Sequence, residues 1–321
     1  MEKKQLGNTD LEIYPIFFGG NVLGWTIDQK TSFTILDAFT HGGFNAIDTA
    51  DIYSRWSPGY SGGESETIIG KWSHSKKNRK DLIIATKVGG DMGYGKTGLS
   101  KKHILAAAEA SLKRLQTDYI DLYQTHFDDT SIPISETLEA YQQLVQEGKV
   151  RWIGASNLTV ERLKESFAIV EENIFPAYQT FQPHYNLYQR QQFEDGLEPI
   201  CLGHNLGVIT YFSLENGFLS GKYRSTEDLS KSVRGAGMRK YFNQRGFQIL
   251  DALDKVANEH NTTQAAVALA WLIQRPSVTA PIVSATNLQQ IESIAAAPNL
   301  NLGIDAIRFL TAESSWQKKT D

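Results

Sequence analysis

The chain has 321 residues and a net charge of −4, from 32 basic and 36 acidic side chains, which excludes both the basic footprint of a nucleic-acid binder and a cationic face for anionic membranes. At 41% apolar and 21% charged residues it has ordinary globular composition, and its length permits one large domain, 1–321. A single cysteine, Cys201, leaves no internal disulfide and suits a reducing compartment; a polar start, Met1–Asp10, and no apolar stretch near the roughly 20 residues of a membrane span complete the expectation of a cytoplasmic protein.

The first expected element is a small hairpin, Gln5–Glu12, turning at Asn8-Thr9-Asp10. Eight short runs rich in Ile, Val, Tyr and Phe read as strands: Ile13–Phe18, Asn45–Thr49, Leu82–Lys87, Tyr119–His126, Trp152–Ser156, Ala177–Phe181, Val208–Phe212 and Pro281–Ser284. Amphipathic segments separate them. Between the third and fourth, Ile104, Ala108, Leu112 and Leu115 share a helical face; between the fourth and fifth, Leu138, Tyr141, Leu144 and Val145 do, with Ser135 as N-cap. Ala265–Ile273, apolar on nearly every side, reads as a buried helix capped by Thr262 or Thr263. Glu64 and Glu66 read as the first turn of a helix, where carboxylates are favoured. The interval between the seventh and eighth strands is the longest and holds a Gly/Arg/Lys-rich stretch, Ser230–Lys240, read as a long functional loop with an extra helix. Strand–helix alternation without a break predicts a parallel sheet closed into a (β/α)8 TIM barrel with an N-terminal β-hairpin, rather than an open doubly wound sheet.

In such barrels function gathers at the C-terminal strand ends. The second strand ends near Asp48 with Tyr53 in the loop beyond, the third at Lys87, the fourth at His126. A free tyrosine, with a pKa of about 10, donates poorly near neutrality. A lysine ammonium beside it would stabilise the phenolate, a carboxylate would keep the buried lysine charged, and the histidine would fix a carbonyl oxygen by hydrogen bonding. Tyr53 is therefore the expected acid, one of 13 tyrosines and given meaning only by its company.

Asp48-Thr49-Ala50-Asp51-Ile52-Tyr53, Ala85-Thr86-Lys87 and Tyr119-Ile120-Asp121-Leu122-Tyr123-Gln124-Thr125-His126 resemble the catalytic signatures of the aldo-keto reductases. Gly154-Ala155-Ser156-Asn157, Gln182 with Tyr185-Asn186-Leu187, and Tyr211-Phe212-Ser213-Leu214 followed by Gly217-Phe218-Leu219-Ser220-Gly221-Lys222 resemble that family's later motifs, so the likeness spans nearly the whole chain. It implies NAD(P)H-dependent reduction of aldehydes or ketones, or the reverse. Asp48, Tyr53, Lys87 and His126 would be catalytic. Ser156, Asn157 and Gln182 would bind the nicotinamide carboxamide and Tyr211 would stack on its ring. Phe212, Ser213, Leu214, Gly217, Leu219 and Lys222 would hold the pyrophosphate. The resemblance favours NADP(H), with NAD(H) possible. Where many members carry Gly-Ala-Arg against the 2′-phosphate, this chain has Ser284-Ala285-Thr286, and no Arg or Lys lies between Arg275 and Arg308. Ser284, Thr286, Asn287 and Gln290 would donate there instead, or Arg234 or Arg239 would reach in from the long loop, and the expected NADP preference is mild. Many relatives also carry Asn where this chain has Ile294. Trp25, Trp56, Tyr60 and Phe127 would line a pocket for a small carbonyl or alcohol substrate.

Other readings stand beside this one. His126-Phe127-Asp128, with His184 or His204, offers ligands for a metal-dependent barrel enzyme. Channel β-subunits of the same family suggest a nucleotide-binding sensor with slow turnover. Gly90–Thr97 matches a P-loop and Gly93–Gly98 matches GxGxxG, but Gly98 follows the Lys96-Thr97 pair where a helix should open.

Overall fold

Alternating runs become a closed barrel of eight parallel strands in the computed structural model, which describes residues 2–93, 95–173, 175–232 and 235–317. A hairpin of β1 (Lys4–Gln5) and β2 (Glu12–Ile13) precedes it. The barrel strands are β3 (Phe17–Gly19), β4 (Ala46–Asp48), β5 (Ile83–Val88), β6 (Ile120–Thr125), β7 (Val150–Ser156), β8 (Thr180–Gln182), β9 (Gly207–Thr210) and β10 (Ala280–Val283), with β10 closing on both β9 and β3. Around them run α1 (Gln29–His41), α2 (Glu64–Lys76), α3 (Lys101–Leu115), α4 (Ile134–Gln146), α5 (Val160–Glu172), α6 (Glu198–Gly203), α7 (Gln244–Glu259), α8 (Gln264–Ile273), α9 (Leu288–Ala296) and α10 (Gly303–Glu313).

Local chemistry sets the element ends. Asp28, Ser100, Thr159, Thr263 and Asn287 each accept a first-turn amide at a helix start, satisfying groups that have no intrahelical partner. Helix α4 departs from expectation. It begins at Ile134 directly after Pro133, so Ser135 lies inside its first turn and is not the N-cap; a proline before the helix has no amide to satisfy. The run Ile13–Phe18 serves two elements, because Pro15 interrupts it: Ile13 pairs with Lys4 in the hairpin and the barrel strand starts at Phe17. The seventh barrel strand stops at Thr210, leaving Tyr211 and Phe212 in the loop.

Two apolar layers result. Inside the barrel, Phe17, Ala46, Ala85, Leu122, Ile209 and Ile282 pack with Leu6, Leu11 and Ile13 of the hairpin, so the hairpin plugs the N-terminal mouth. Outside, Leu36, Ile69, Trp72, Leu112, Leu138 and Trp271 join the helices to the outer strand faces. Helix α8 is buried from Ala266 to Ile273, as its apolar sequence requires. A Cβ at Gly154 would collide with Thr180 Oγ1; only glycine lets β7 and β8 approach there. The long interval between β9 and β10 consists of 3₁₀ segments Glu215–Ser220, Thr226–Lys231 and Gly235–Tyr241, then α7 and α8. Among the described residues no helix is long and apolar enough to cross a membrane.

Candidate active site

Parallel pairing brings every strand's C-terminal end to the mouth opposite the hairpin. Asp48 pairs in register with Ala85, and Lys87 with Gln124, so Asp48, Lys87 and His126 arrive on neighbouring strands. The Lys87 ammonium donates to Asp48 Oδ2 at 2.7 Å, to the Thr49 carbonyl at 2.7 Å and to Tyr53 Oη at 2.8 Å, which uses all three of its donors. Lys87 is 0% and Asp48 1% exposed. Tyr53 donates its own proton to Asp48 Oδ2 at 3.0 Å, and Asp48 Oδ1 accepts from Gln182 Nε2 at 2.9 Å.

Burial pushes the Lys87 ammonium below its ordinary range, against the pull of Asp48, Asp51 and Glu66. It also pushes the Tyr53 phenol well up, and the Asp48 carboxylate adds to the rise. This reverses the expected lowering of Tyr53. The phenol hydrogen-bonds to an anion as well as to the ammonium, and loss of solvation outweighs the lysine. Burial, with the Lys87 charge, drives His126 well below its usual range. Its imidazole is neutral, and its Nδ1 is buried without a partner. The Tyr53 and His126 ring centroids are 6.0 Å apart. Trp56 lies edge-on to Tyr53 at 5.6 Å, Trp25 edge-on to Trp56 at 5.9 Å, and Phe127 stacks on His126 at 4.2 Å, which leaves an aromatic rim. Tyr60 makes no ring contact with it among the described residues; its amide bonds the Ser57 carbonyl.

The next two strand ends carry Ser156, Asn157 and Gln182. Ser156 pairs with Gln182 across β7 and β8 and donates to its carbonyl at 2.9 Å. Asn157, at φ +54°, donates to the His126 carbonyl and accepts from Tyr211 Oη, both at 2.8 Å. Beyond Tyr211 the chain turns through positive φ at Phe212, Glu215, Asn216 and Gly217, a tight loop in which the Glu215 amide bonds the Phe212 carbonyl. Ser213 Oγ bonds back to the Thr210 carbonyl, the Leu214 carbonyl accepts the amides of Gly217 and Leu219, and the Lys222 side chain lies against Gly217. This donor set fits a nicotinamide dinucleotide.

A family model described as the aldo/keto reductase family matches residues 15–312. The chain belongs to the aldo/keto reductase family. It is an NAD(P)-dependent oxidoreductase. Among its relatives, an uncharacterised oxidoreductase of Bacillus subtilis, YrpG, is 33% identical over 97% of this chain and 95% of its own length. A probable voltage-gated potassium channel subunit beta of Arabidopsis thaliana is 30% identical over 97% and 93%. The aldo-keto reductase YhdN of Bacillus subtilis is 32% identical over 92% and 88%.

Other expected positions of this aldo/keto reductase are spent locally. Ser284 donates to Asn21 Oδ1 at 2.5 Å, the Thr286 amide bonds Gln290 Oε1 at 2.7 Å, and Asn287 caps α9. Arg239 is exposed and Arg234 lies outside the described residues. The metal reading loses its ligands: Asp128 is gripped by Arg162 at 3.0–3.1 Å, His184 bonds Glu215 at 2.7 Å, and His204 stacks on Phe167. Among the described residues no group of three or more His, Cys, Asp or Glu could hold a metal. Helix α3 starts only at Lys101, after the Ser100 cap, so the described residues of the P-loop and GxGxxG matches lie in a loop.

Three residues escaped the sequence reading. Asp51 is buried with both carboxylate oxygens unpartnered; its signal was a second acid three positions after Asp48. Glu66 read as a helix start, and it is that, but it is also fully buried against Thr86 and Arg114. Glu215, a lone acid in an apolar loop, is buried under Tyr211's neighbour His184.

Proposed function

We propose that this chain, acting as one barrel domain, catalyses the NADP(H)-dependent interconversion of aldehydes or ketones and alcohols, with Tyr53 as proton donor in the direction of reduction. The observation that carries the reading is the Lys87 ammonium held between Asp48 and Tyr53 at a barrel mouth that His126 shares. When bound, the dinucleotide supplies the hydride. The His126 imidazole, neutral and unpartnered at Nδ1, orients the carbonyl oxygen, and Tyr53 Oη gives that oxygen its proton. The resulting phenolate is neutralised by the Lys87 ammonium it already touches, and Asp48 keeps that ammonium charged.

Ser156, Asn157 and Gln182 supply the donors and acceptors a carboxamide needs, Tyr211 a flat face for the ring, and Phe212, Ser213, Leu214, Gly217, Leu219 and Lys222 the pyrophosphate cradle. Ser284, Thr286 and Gln290 would meet the adenosine ribose end only by giving up their bonds to Asn21 and to one another, and no Arg or Lys lies between Arg275 and Arg308, so the preference for NADP(H) over NAD(H) is mild. The aromatic rim of Trp25, Trp56 and Phe127 receives a small carbonyl substrate. We place the protein in the cytoplasm. The test is dinucleotide oxidation against a panel of aldehydes with Tyr53→Phe beside wild type; kcat is expected to fall at least about a hundredfold, and a near-wild-type rate refutes the mechanism. A second reading, a slow nucleotide-binding sensor, draws on the plant channel-subunit relative. Tight dinucleotide binding with no turnover across the panel favours it.

A further inference from the structure

Tyr211 stands on a charged support. The His184 ring stacks on the Tyr211 ring at 5.1 Å and 23°, leaving the other face of Tyr211 for the nicotinamide. His184 Nε2 bonds Glu215 Oε2 at 2.7 Å. Glu215 is 1% exposed and sits at φ +45°, a strained conformation for a side chain of this size. The remaining hydrogen bonds to its carboxylate come from Asn186 Nδ2 at 2.5 Å and from the Tyr241 hydroxyl. Burial pushes the carboxyl up, but the bond from His184 and the attraction of a charged His184, with the bonds from Tyr241 and Asn186, outweigh that and hold it below the ordinary range. It is therefore an anion, and its charge is felt at Tyr211, whose phenol is pushed up by burial and by Glu215.

Nicotinamide changes charge in the reaction: the oxidised ring is a cation and the reduced ring is neutral. A fixed anion under the stacking platform discriminates between them. We propose that Glu215, acting through His184 and Tyr211, is a positioning residue that favours the oxidised over the reduced dinucleotide and thereby tunes the potential of the bound pair. This rests on Tyr211 being the nicotinamide platform. One charge acting over ~10 Å at an effective dielectric of 20–40 corresponds to an affinity ratio of ~3–15-fold, and tenfold is ~30 mV for a two-electron couple.

The experiment measures dissociation constants for NADPH and NADP⁺ by quenching of tryptophan fluorescence in wild type, Glu215→Gln and Tyr241→Phe. In Glu215→Gln the affinity for NADP⁺ is expected to fall ~3–15-fold relative to NADPH. Tyr241→Phe, which loosens the same hub but keeps the charge, is expected to leave the ratio unchanged. Equal weakening of both forms in Glu215→Gln overturns the proposal. His184→Arg, at a partly exposed position, holds a permanent cation beside Glu215; compared with wild type at pH 9, well above the ordinary imidazole range, it should shift the ratio in the same direction as Glu215→Gln, and an unchanged ratio at that pH overturns the proposal even if Glu215→Gln does not fold. Binding of neither form by wild type overturns the reading of the site, and this proposal with it.

Discussion

Asp51→Asn is expected to stabilise the protein, and to do so more at alkaline than at acid pH. Asp51 is 2% exposed, and neither carboxylate oxygen has a hydrogen-bond partner. The charged groups facing it are Glu66 on α2, Arg114 on α3 and Lys87 on β5, with the Tyr123 and Tyr141 hydroxyls also in its field. Ionised together, Asp48, Asp51 and Glu66 outnumber Lys87 and Arg114 by one charge, and a proton on Asp51 removes the excess. Burial, with Glu66, raises its pKa from 3.8 to about 7. The folded state thus binds the proton more tightly than the unfolded state. Stability from this group is fully present below pH ~4, falls by up to ~1.4 kcal/mol per pH unit between ~4 and ~7, and is flat above. The full cost of the ionised carboxylate is about 4 kcal/mol, given a rise from 3.8 to about 7. Asparagine has nearly the same shape and no charge. Urea unfolding of both proteins at pH 5 and pH 8 should therefore give a stability difference larger at pH 8 by about 2.5 kcal/mol. A difference that is the same at both pH values would show that Asp51 is already ionised at pH 5, and would refute the argument.

Other substitutions test neighbouring links. Lys87→Met should abolish carbonyl reduction and cost ~3–5 kcal/mol in urea unfolding, because it strands the Asp48 carboxylate, 1% exposed, without its cation; a loss under 1 kcal/mol would argue that Asp48 is protonated. Ser54, at φ +81°, donates to the Leu23 carbonyl at 3.0 Å. Ser54→Gly exchanges that bond for relief of strain and should stay within ~1 kcal/mol of wild type, while Ser54→Ala should be ~1–2 kcal/mol less stable than Ser54→Gly; equal melting temperatures for the two would count against backbone strain there. Thr286→Arg supplies a guanidinium at the start of α9 and should raise the NADPH-over-NADH affinity ratio about tenfold in quenching titrations; an unchanged ratio would move the 2′-phosphate site elsewhere.

The barrel was legible because each strand run is short, β-branched and punctuated, and because the helices between carry one apolar face. Convergence of Asp48, Lys87 and His126 then followed from parallel strands alone. What local sequence hid was tertiary. The unexpected α4 start depended on Pro133 rather than on the more conspicuous Ser135. Glu66 reads identically whether its first helical turn faces solvent or, as here, Thr86 and Arg114. His184 reads as a candidate metal ligand because histidine spacing is visible, whereas its partner Glu215 lies 31 positions away and only the folded loop joins them. The direction of the Tyr53 shift was likewise illegible, since it depends on which oxygen the phenol faces and how far water is excluded.

That direction bears on how the proposed mechanism, with Tyr53 as donor, would divide its labour. An alkoxide forming from a carbonyl is a far stronger base than phenolate, close to hydroxide, whose conjugate acid water has a pKa of ~15.7. A phenol pushed up by burial and Asp48 still gives its proton downhill to such an oxygen, and stays fully protonated between turnovers. The lysine therefore matters less for making Tyr53 acidic in the resting site than for the instant after transfer. The phenolate then forms 2.8 Å from an ammonium already in place, so no solvent must reorganise to meet the new charge. The reverse reaction must start from that phenolate, and the same burial that protects the acid makes the base scarce. The Asp48–Lys87–Tyr53 geometry is thus prepared for proton donation, and the buried anion proposed beneath Tyr211 would work in the same direction, because favouring the oxidised ring makes the bound reduced ring the stronger hydride donor.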